Sequence, residues 1–137
     1  MSDARVEALS KVPLFANLSA RQLRRVLKGT TEDQYEEGTL IVRQGGRTPT
    51  MFVILEGTAR IVRDGKTIAR RSAGDFFGEL SVIDGRPRAG TVIAETPIRC
   101  VILYREKLRE VVMGEPRAAW AMLEALVSRV REKANAG

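Results

Sequence analysis

Residues 51–74 read MFVILEGTARIVRDGKTIARRSAG, and their pattern is that of consecutive β-strands. Short runs of apolar and β-branched residues end at glycines, and the second and third runs alternate apolar with polar side chains. Asp64 and Gly65 separate these two runs, and an Asp-Gly pair in this position is typical of a two-residue β-hairpin turn. The stretch therefore predicts antiparallel strands joined by tight connections.

Similar strand patterns lie on both sides of this stretch. TEDQYEEG and TLIVRQGG precede it, and TVIAE and IRCVILY follow it. Many short strands at regular spacing, with turn residues between them, are typical of a closed barrel or a jelly roll. We predict a β-roll over about residues 31–104, flanked by helices, so that the fold class is mainly β.

Helical periodicity is found at both ends of the chain. Within about residues 6–28, leucine and valine recur at helical spacing after Ser19, which is a good N-cap residue. Residues 105–113 and 116–134 carry periodic leucine, valine and alanine, and Pro116 suits the first turn of a helix. The apolar face of the last helix is expected to serve core or helix packing, and it carries Trp120, Leu123 and Val127.

Length and composition limit the class of protein. The 137 residues fit a single domain, and 44% apolar with 29% charged residues is typical of a soluble globular chain. No apolar run is long enough to span a membrane, and the first residues contain no secretory or lipidation signal. Because Cys100 is the single cysteine, no internal disulfide can form. These features predict a cytoplasmic protein without a membrane partner.

Residue types argue against catalysis. A chain without histidine cannot build a Ser-His or Cys-His pair or the usual imidazole metal site. Cys100 lies within the apolar run IRCVILY, where we expect a buried small hydrophobe. Glu36 and Glu37 are adjacent on a predicted strand and would face opposite ways. We therefore predict a protein that is not an enzyme, with no catalytic residues, metal or cofactor.

The net charge of +6 raises the question of an acidic partner. Four basic residues cluster in the N-terminal helix, but the others are dispersed among acids and are not interleaved with aromatic side chains. We do not expect a specific nucleic-acid surface, although a DNA-associated regulator fragment stays as an alternative.

Residues 74–91, GDFFGELSVIDGRPRAGT, have the features of a ligand-binding segment. Gly78 frees the backbone at the start of a short helical turn, residues 79–83, whose unpaired N–H groups can meet an anion. Arg88 follows on the way into the next strand and could make a bidentate contact to a phosphate. Glu79 would stand beside that phosphate and could accept a hydrogen bond from a hydroxyl of the same ligand.

This segment resembles the phosphate-binding cassette of the cyclic nucleotide-binding domain family, the family of catabolite activator protein-like β-rolls. The matching residues, in order and spacing, are Gly78, Glu79, Leu80, Ser81, Val82, Gly85, Pro87, Arg88 and Ala89. VPLFANL, the paired glycines of QGG and the terminal helix are also placed as in that family. The resemblance implies an eight-stranded antiparallel β-roll, or double-stranded β-helix jelly roll, with helices at both ends and a cassette at residues 78–91.

The same resemblance implies roles for individual residues. Arg88 would take the cyclic phosphate, Glu79 the ribose 2′-hydroxyl, and Arg129 of the last helix would cover the base, with Lys133 on the same face. Family members that prefer cGMP often have threonine or serine after the arginine, so Ala89 favours cAMP, with cGMP as the second candidate. The implied binding residues are Phe77, Gly78, Glu79, Leu80, Ser81, Arg88, Ala89, Gly90 and Arg129.

By this reading the chain is a regulatory sensor module, without an effector domain of its own, that signals when ligand rearranges its C-terminal helices. Its partners would be the nucleotide, a separate protein effector, or a second copy bound through the C-terminal helix. The main alternative is a protein-interaction domain of the same superfamily that has lost its ligand.

Overall fold

The structure, a computed structural model, describes residues 4–136. Helices lie at the two ends of the chain and between two of the strands. They are α1 (Ala4–Ser10), a 3₁₀ helix (Pro13–Phe15), α2 (Ala20–Leu27), α3 (Glu79–Asp84), α4 (Arg105–Gly114) and α5 (Pro116–Ala136).

Eight strands form two sheets in these residues. They are β1 (Thr31–Tyr35), β2 (Leu40–Val42), β3 (Thr50–Glu56), β4 (Thr58–Arg63), β5 (Lys66–Ser72), β6 (Phe76–Phe77), β7 (Thr91–Ala94) and β8 (Ile98–Tyr104). The strand orders are β1-β8-β3-β6 and β2-β7-β4-β5, and each pairing is antiparallel. The predicted eight-stranded antiparallel β-roll with flanking helices is confirmed.

The β4–β5 hairpin has the turn that its sequence predicts. Asp64 has φ 51° and Gly65 has φ 80°, and a left-handed backbone at both central residues is the geometry of a type I′ turn. β6 is different, because two phenylalanines after a turn do not show an alternating strand pattern. It pairs with β3 and carries the chain directly into α3.

The central strand β3 is buried on both of its faces. Phe52 and Ile54 pack in the core between the two sheets, and the ring of Phe52 stacks on Phe77 of the adjacent strand β6 with centroids 4.8 Å apart. Met51 and Val53 point the other way and pack among apolar residues of the N- and C-terminal helices. Burial on both faces explains why residues 51–55 form a continuous apolar run instead of an alternating one.

Ser19 caps α2 as its position predicts. Its side chain accepts a hydrogen bond from the Gln22 amide at 3.2 Å, and the Ser19 amide donates to Oε1 of Gln22 at 2.7 Å. This reciprocal pair is a capping box, which satisfies two amides at the helix start. The Gln22 side chain also donates to the buried Glu115, between α4 and α5, at 3.0 Å.

Of the two roles expected for Trp120, Leu123 and Val127, packing in the core is wrong, and packing against another helix stays a prediction. These side chains are 65%, 54% and 53% exposed, and Val130 continues the row at 69%. α5 has two apolar stripes, and the one that faces the domain is made of smaller or more flexible residues. That inner stripe comprises Ala118, Ala121, Met122, Ala125 and Leu126.

Cys100 lies in the core, as expected, with no exposed surface. Burial raises the pKa of its thiol to about 12, so it stays neutral and unreactive at physiological pH. Within residues 4–136 no helix has the length and apolarity that crossing a membrane requires. The same residues contain no cluster of three or more acidic, cysteine or histidine side chains arranged to hold a metal ion.

Candidate functional site

Gly78 sets the geometry of the segment that the sequence singled out. It lies between β6 and α3 and has φ +85°, a backbone conformation that residues other than glycine rarely adopt. A Cβ atom at this position would lie 2.8 Å from both the Thr50 carbonyl oxygen and Nη1 of Arg88. The residue therefore permits a backbone turn and also a close approach of the Arg88 guanidinium.

Arg88 is buried, with only 5% of its surface exposed. Its Nη1 donates to the Gly78 carbonyl at 2.8 Å, and its Nη2 donates to the carbonyl and hydroxyl oxygens of Thr50 at 2.7 and 2.9 Å. Its backbone pairs with the QGG loop, residues 44–46: the Arg88 amide donates to the Gly46 carbonyl, and the Gly45 amide donates to the Arg88 carbonyl, both at 2.8 Å. The guanidinium is thus held by Thr50 of β3 and by the Gly78 turn, and the backbone of Arg88 is held by the QGG loop.

The charge of Arg88 has no direct counter-ion. Burial lowers the pKa of Arg88, and the carboxylate of Glu79 acts in the opposite direction, but an arginine stays protonated in proteins. Within residues 4–136, no carboxylate lies at salt-bridge distance from it. Three of its hydrogen-bond donors are used by Gly78 and Thr50, which leaves donors on Nε and Nη1. A buried cation of this kind favours an anion.

Glu79, the first residue of α3, is also buried and connects the segment to the last helix. Its Oε1 accepts a hydrogen bond from Nη1 of Arg129 at 2.8 Å. Nη2 of Arg129 donates to the Phe76 carbonyl, and the guanidinium carbon lies 4.1 Å above the centre of the Phe76 ring. Arg129 therefore joins α5 to β6 and α3 by an ion pair and a cation–π contact.

A cavity of about 140 Å³ brings most of the predicted site residues together. Its wall includes Phe77, Gly78, Glu79, Leu80, Ser81, Arg88, Ala89 and Gly90. Arg129 is outside the lining and reaches the site through Glu79. Lys133 is exposed at the next turn of α5. The short helical turn predicted at residues 79–83 is present as α3, Glu79–Asp84.

Two residues at this site were missed from the sequence. Thr50, at the start of β3, holds Arg88, and its position before a strand gave no specific signal. Arg71 of β5 lines the cavity beside Arg88, and its buried Nε has no hydrogen-bond partner. The two-residue turn by itself would pair Ala59 with Arg70, but a bulge between Ile61 and Val62 shifts the register and places Arg71 opposite the inward-facing Ala59.

One protein family and several solved structures are similar to this chain. The sequence profile of the family described as "Cyclic nucleotide-binding domain" matches residues 32–115, which include the segment from Gly78 to Gly90. The fold is similar to catabolite activator protein from Thermus thermophilus, with 26% identity and a TM-score of 0.78 over 88% of this chain and 59% of that chain.

Two further solved structures are similar over most of the chain. A cyclic nucleotide-binding domain from Methylobacillus flagellatus is 26% identical with a TM-score of 0.80, covering 93% of this chain and 77% of that one. The regulatory domain of PKA from Toxoplasma gondii, co-crystallised with cAMP, is 25% identical with a TM-score of 0.75, covering 94% and 49%. The chain thus spans about half the length of the PKA regulatory domain and 59% of the activator protein.

Proposed function

The chain belongs to the cyclic nucleotide-binding domain family, and on this premise we propose that the cavity beside Arg88 binds a cyclic nucleotide, with cAMP as the favoured ligand. The chain acts as a single regulatory ligand-binding domain of the cytoplasm, without a catalytic role. The observation that carries the proposal is the buried, uncompensated cation of Arg88 in the cavity wall.

A cyclic phosphate suits this place because it supplies the missing negative charge. Gly78, Leu80 and Ala89 line the same cavity as Arg88, and we expect their backbone amides to join the remaining donors of Arg88 around the phosphate. Charge-assisted hydrogen bonds in a site shielded from water are stronger than neutral ones, so the phosphate contact would dominate the affinity.

Glu79 is the natural partner for the ribose 2′-hydroxyl, since its carboxylate lies in the same cavity wall as Arg88. Arg129 already occupies one oxygen of this carboxylate, and the other oxygen is available to accept from a hydroxyl. The ligand and α5 would therefore share one carboxylate. Binding would change the free energy of the α5 contact, and a shift between helix arrangements would follow.

The preference for cAMP rests on Ala89. The side chain after Arg88 offers no hydroxyl to a guanine edge, and Ala89 lines the cavity at the exposed end. The base would lie on the apolar wall that β4 and β7 contribute, under the part of α5 that carries Arg129.

A second candidate function is that of a protein-interaction domain, and the exposed stripe of α5 favours it. Trp120, Leu123, Val127 and Val130 present a row of apolar side chains without cover from residues 4–136. This surface suits a protein effector or a second copy, and either could coexist with nucleotide binding.

The direct test is isothermal titration with cAMP, cGMP and AMP, supported by thermal unfolding with the same ligands. We expect saturable binding of a cyclic nucleotide and a raised unfolding midpoint, since a ligand at 100 times its Kd stabilises by about 2.7 kcal/mol. AMP should bind more weakly than cAMP. Failure of both cyclic nucleotides to bind the folded protein would refute the proposal and leave the interaction domain as the better candidate.

Arg88→Ala should lower cAMP affinity by about a hundredfold, because a charge-assisted contact of roughly 1.5–3 kcal/mol is removed in a shielded site. Arg86→Ala is the matched control, since Arg86 is an exposed arginine two residues earlier. Circular dichroism checks that Arg88→Ala remains folded after it loses its contacts to Gly78 and Thr50. Equal cAMP affinity in both variants would contradict the role of Arg88.

A further inference from the structure

A second cavity lies outside the β-roll, between the helices α3, α4 and α5. Its lining comes from within residues 82–83, 105–112 and 119–126, and we call it the α3–α5 groove. Its volume is about 440 Å³, larger than that of the nucleotide cavity and within the range of about 300–1,000 Å³ that small-molecule sites occupy. The two cavities have no lining residue in common, so the groove is a separate site.

Most of the groove lining is apolar. Some of these side chains are buried in the domain, among them Leu108 of α4 and Met122 of α5. Others are open to solvent, because Ile83 of α3 and Leu123 of α5 are 50% and 54% exposed. Apolar side chains that are exposed together around a concavity favour an apolar occupant.

The charged residues of the lining are two arginines on one helix. They are Arg105 and Arg109 of α4, and no acidic residue lines the groove. Both are exposed, and within residues 4–136 neither side chain forms a salt bridge or a hydrogen bond. Residues four apart on a helix lie on the same face, with Cβ atoms about 5–6 Å apart. Two guanidinium groups at this spacing can bind the two oxygens of a single carboxylate.

We propose that the α3–α5 groove binds an amphiphilic carboxylate, a molecule with one anionic head group and an alkyl chain, such as a fatty acid. The carboxylate binds Arg105 and Arg109, and the alkyl chain lies on the apolar side chains of α3 and α5. Charge complementarity selects this occupant, because the cations lie on one wall and the rest of the lining has no polar side chain. An acidic amphipathic helix would bring several charges along its length, and the groove offers a single pair of cations.

The first test is isothermal titration of the whole chain with hexanoate, octanoate and decanoate, and with decanamide, which has the tail of decanoate without its charge. We expect the Kd to fall about two- to fourfold for each added methylene, where fourfold corresponds to about 0.8 kcal/mol for a fully buried CH₂ group. Decanoate should bind about tenfold more tightly than decanamide, because charge-assisted hydrogen bonds are stronger than neutral ones. Absence of saturable decanoate binding by the folded protein overturns the proposal.

The second test removes the two cations of the groove. Arg105→Met/Arg109→Met should weaken decanoate binding about tenfold and leave decanamide binding unchanged, since the variant loses the charge and keeps an unbranched side chain. Arg24→Met/Arg131→Met is the matched control, because it removes two exposed arginines that do not line the groove. Equal losses for decanoate and decanamide in the groove variant, or equal decanoate affinity in the two variants, would contradict the role of the arginines.

The methionines report where the molecule binds. With isotope-labelled methionine methyl groups, decanoate should shift the NMR signal of Met122, which Met122→Leu assigns. The signal of Met51, buried in the core, and that of Met113, exposed on α4 outside the groove, should stay in place. A shift of Met113 without a shift of Met122 would mean adsorption to the surface, and the proposal would be wrong.

Two other occupants of the groove are outcomes of the same experiments. If decanoate does not bind and a synthetic acidic amphipathic peptide shifts the Met122 signal, the groove docks a helix and the proposal is wrong. If that signal instead changes with protein concentration alone, the occupant is a second copy of the chain and the proposal is equally wrong. Neither outcome bears on the proposed nucleotide site, which cAMP titration tests separately.

Discussion

The buried Arg88 illustrates how a single side chain can organise a site before any ligand arrives. Its three hydrogen bonds to Gly78 and Thr50 use neutral acceptors, which fix the orientation of the guanidinium without cancelling its charge. A carboxylate at the same distance would have satisfied the charge and competed with an anion. The site is therefore rigid and still electrostatically open.

Gly78→Ala should destabilise the fold, because the residue must keep φ near +85° and its Cβ would approach Arg88 and the Thr50 carbonyl. The left-handed backbone alone costs about 1–2 kcal/mol. Gly38→Ala is the matched control, since Gly38 has φ +86° and open space around its Cβ position. Urea denaturation should show a larger loss for Gly78→Ala, and equal losses would mean that the close approach to Arg88 carries no cost.

Glu79→Gln should lower cAMP affinity about tenfold, which is less than the effect of Arg88→Ala, because an amide oxygen still accepts a hydrogen bond but without charge assistance. Titration with 2′-deoxy-cAMP gives the control on the ligand side. Wild type should bind cAMP more tightly than the deoxy analogue, and Glu79→Gln should reduce that difference. Comparable binding of the two ligands by wild type would contradict the assignment of Glu79 to the 2′-hydroxyl.

At the scale of elements, α5 is attached to the rest of the domain by polar contacts at two places along its length. Near its start, Arg117 donates to the Asn17 carbonyl at 3.3 Å, and the buried Glu115 just before it accepts from Gln22 of α2 at 3.0 Å. Further along, Arg129 joins the helix to Glu79 and Phe76. The second attachment adjoins the cavity and the first does not, so a ligand would act on the distal half of α5.

Arg129→Met should loosen the distal half of α5. The variant removes a largely buried ion pair and the contact to Phe76, and we expect a loss of about 1–3 kcal/mol in local or global stability. Hydrogen–deuterium exchange should become faster in peptides from the second half of α5. Lys133→Met is the control, because Lys133 is exposed one turn later on the same helix. Unchanged exchange in Arg129→Met would show that α5 is held by its apolar inner stripe alone.

At the scale of the whole molecule, the parts that sequence could predict are those that local patterns specify. Three examples are the Asp64-Gly65 hairpin, the Ser19 cap and the segment from Gly78 to Ala89 with its helical turn. Each of these features depends on a few neighbouring residues, and the turn, the cap and the helical turn are all present in the structure. The position of Arg71 was not predictable in this way, because the inward direction of a charged residue depends on its register with Ala59. The prediction that Trp120 packs in the core was wrong for a related reason. When a helix has two apolar stripes, its sequence does not show which stripe faces the domain.

The exposed stripe of α5 leads to a prediction about assembly. Trp120, Leu123, Val127 and Val130 follow one another at intervals of three, four and three residues, which is the spacing of a coiled-coil seam. We expect two copies to pair through this row. Val127→Glu should shift the protein towards monomer, because it places a charge in the seam.

Sedimentation velocity over a range of concentrations measures this assembly. Ser128→Glu introduces the same charge at the next exposed position of α5, outside the row, and should leave the association constant nearly unchanged. A wild-type protein that remains monomeric at high micromolar concentration would exclude pairing through α5 and leave the stripe to a different partner.

The carboxylate of Glu79, bound to Arg129 of the last helix, has a pharmacological consequence. On the proposed function, affinity comes mainly from the phosphate at Arg88, whereas the effect on α5 passes through Glu79. A nucleotide that keeps the cyclic phosphate and lacks the 2′-hydroxyl should occupy the cavity with little effect on the helix. Such a compound would be a competitive antagonist, and occupancy and efficacy could be adjusted separately in this domain.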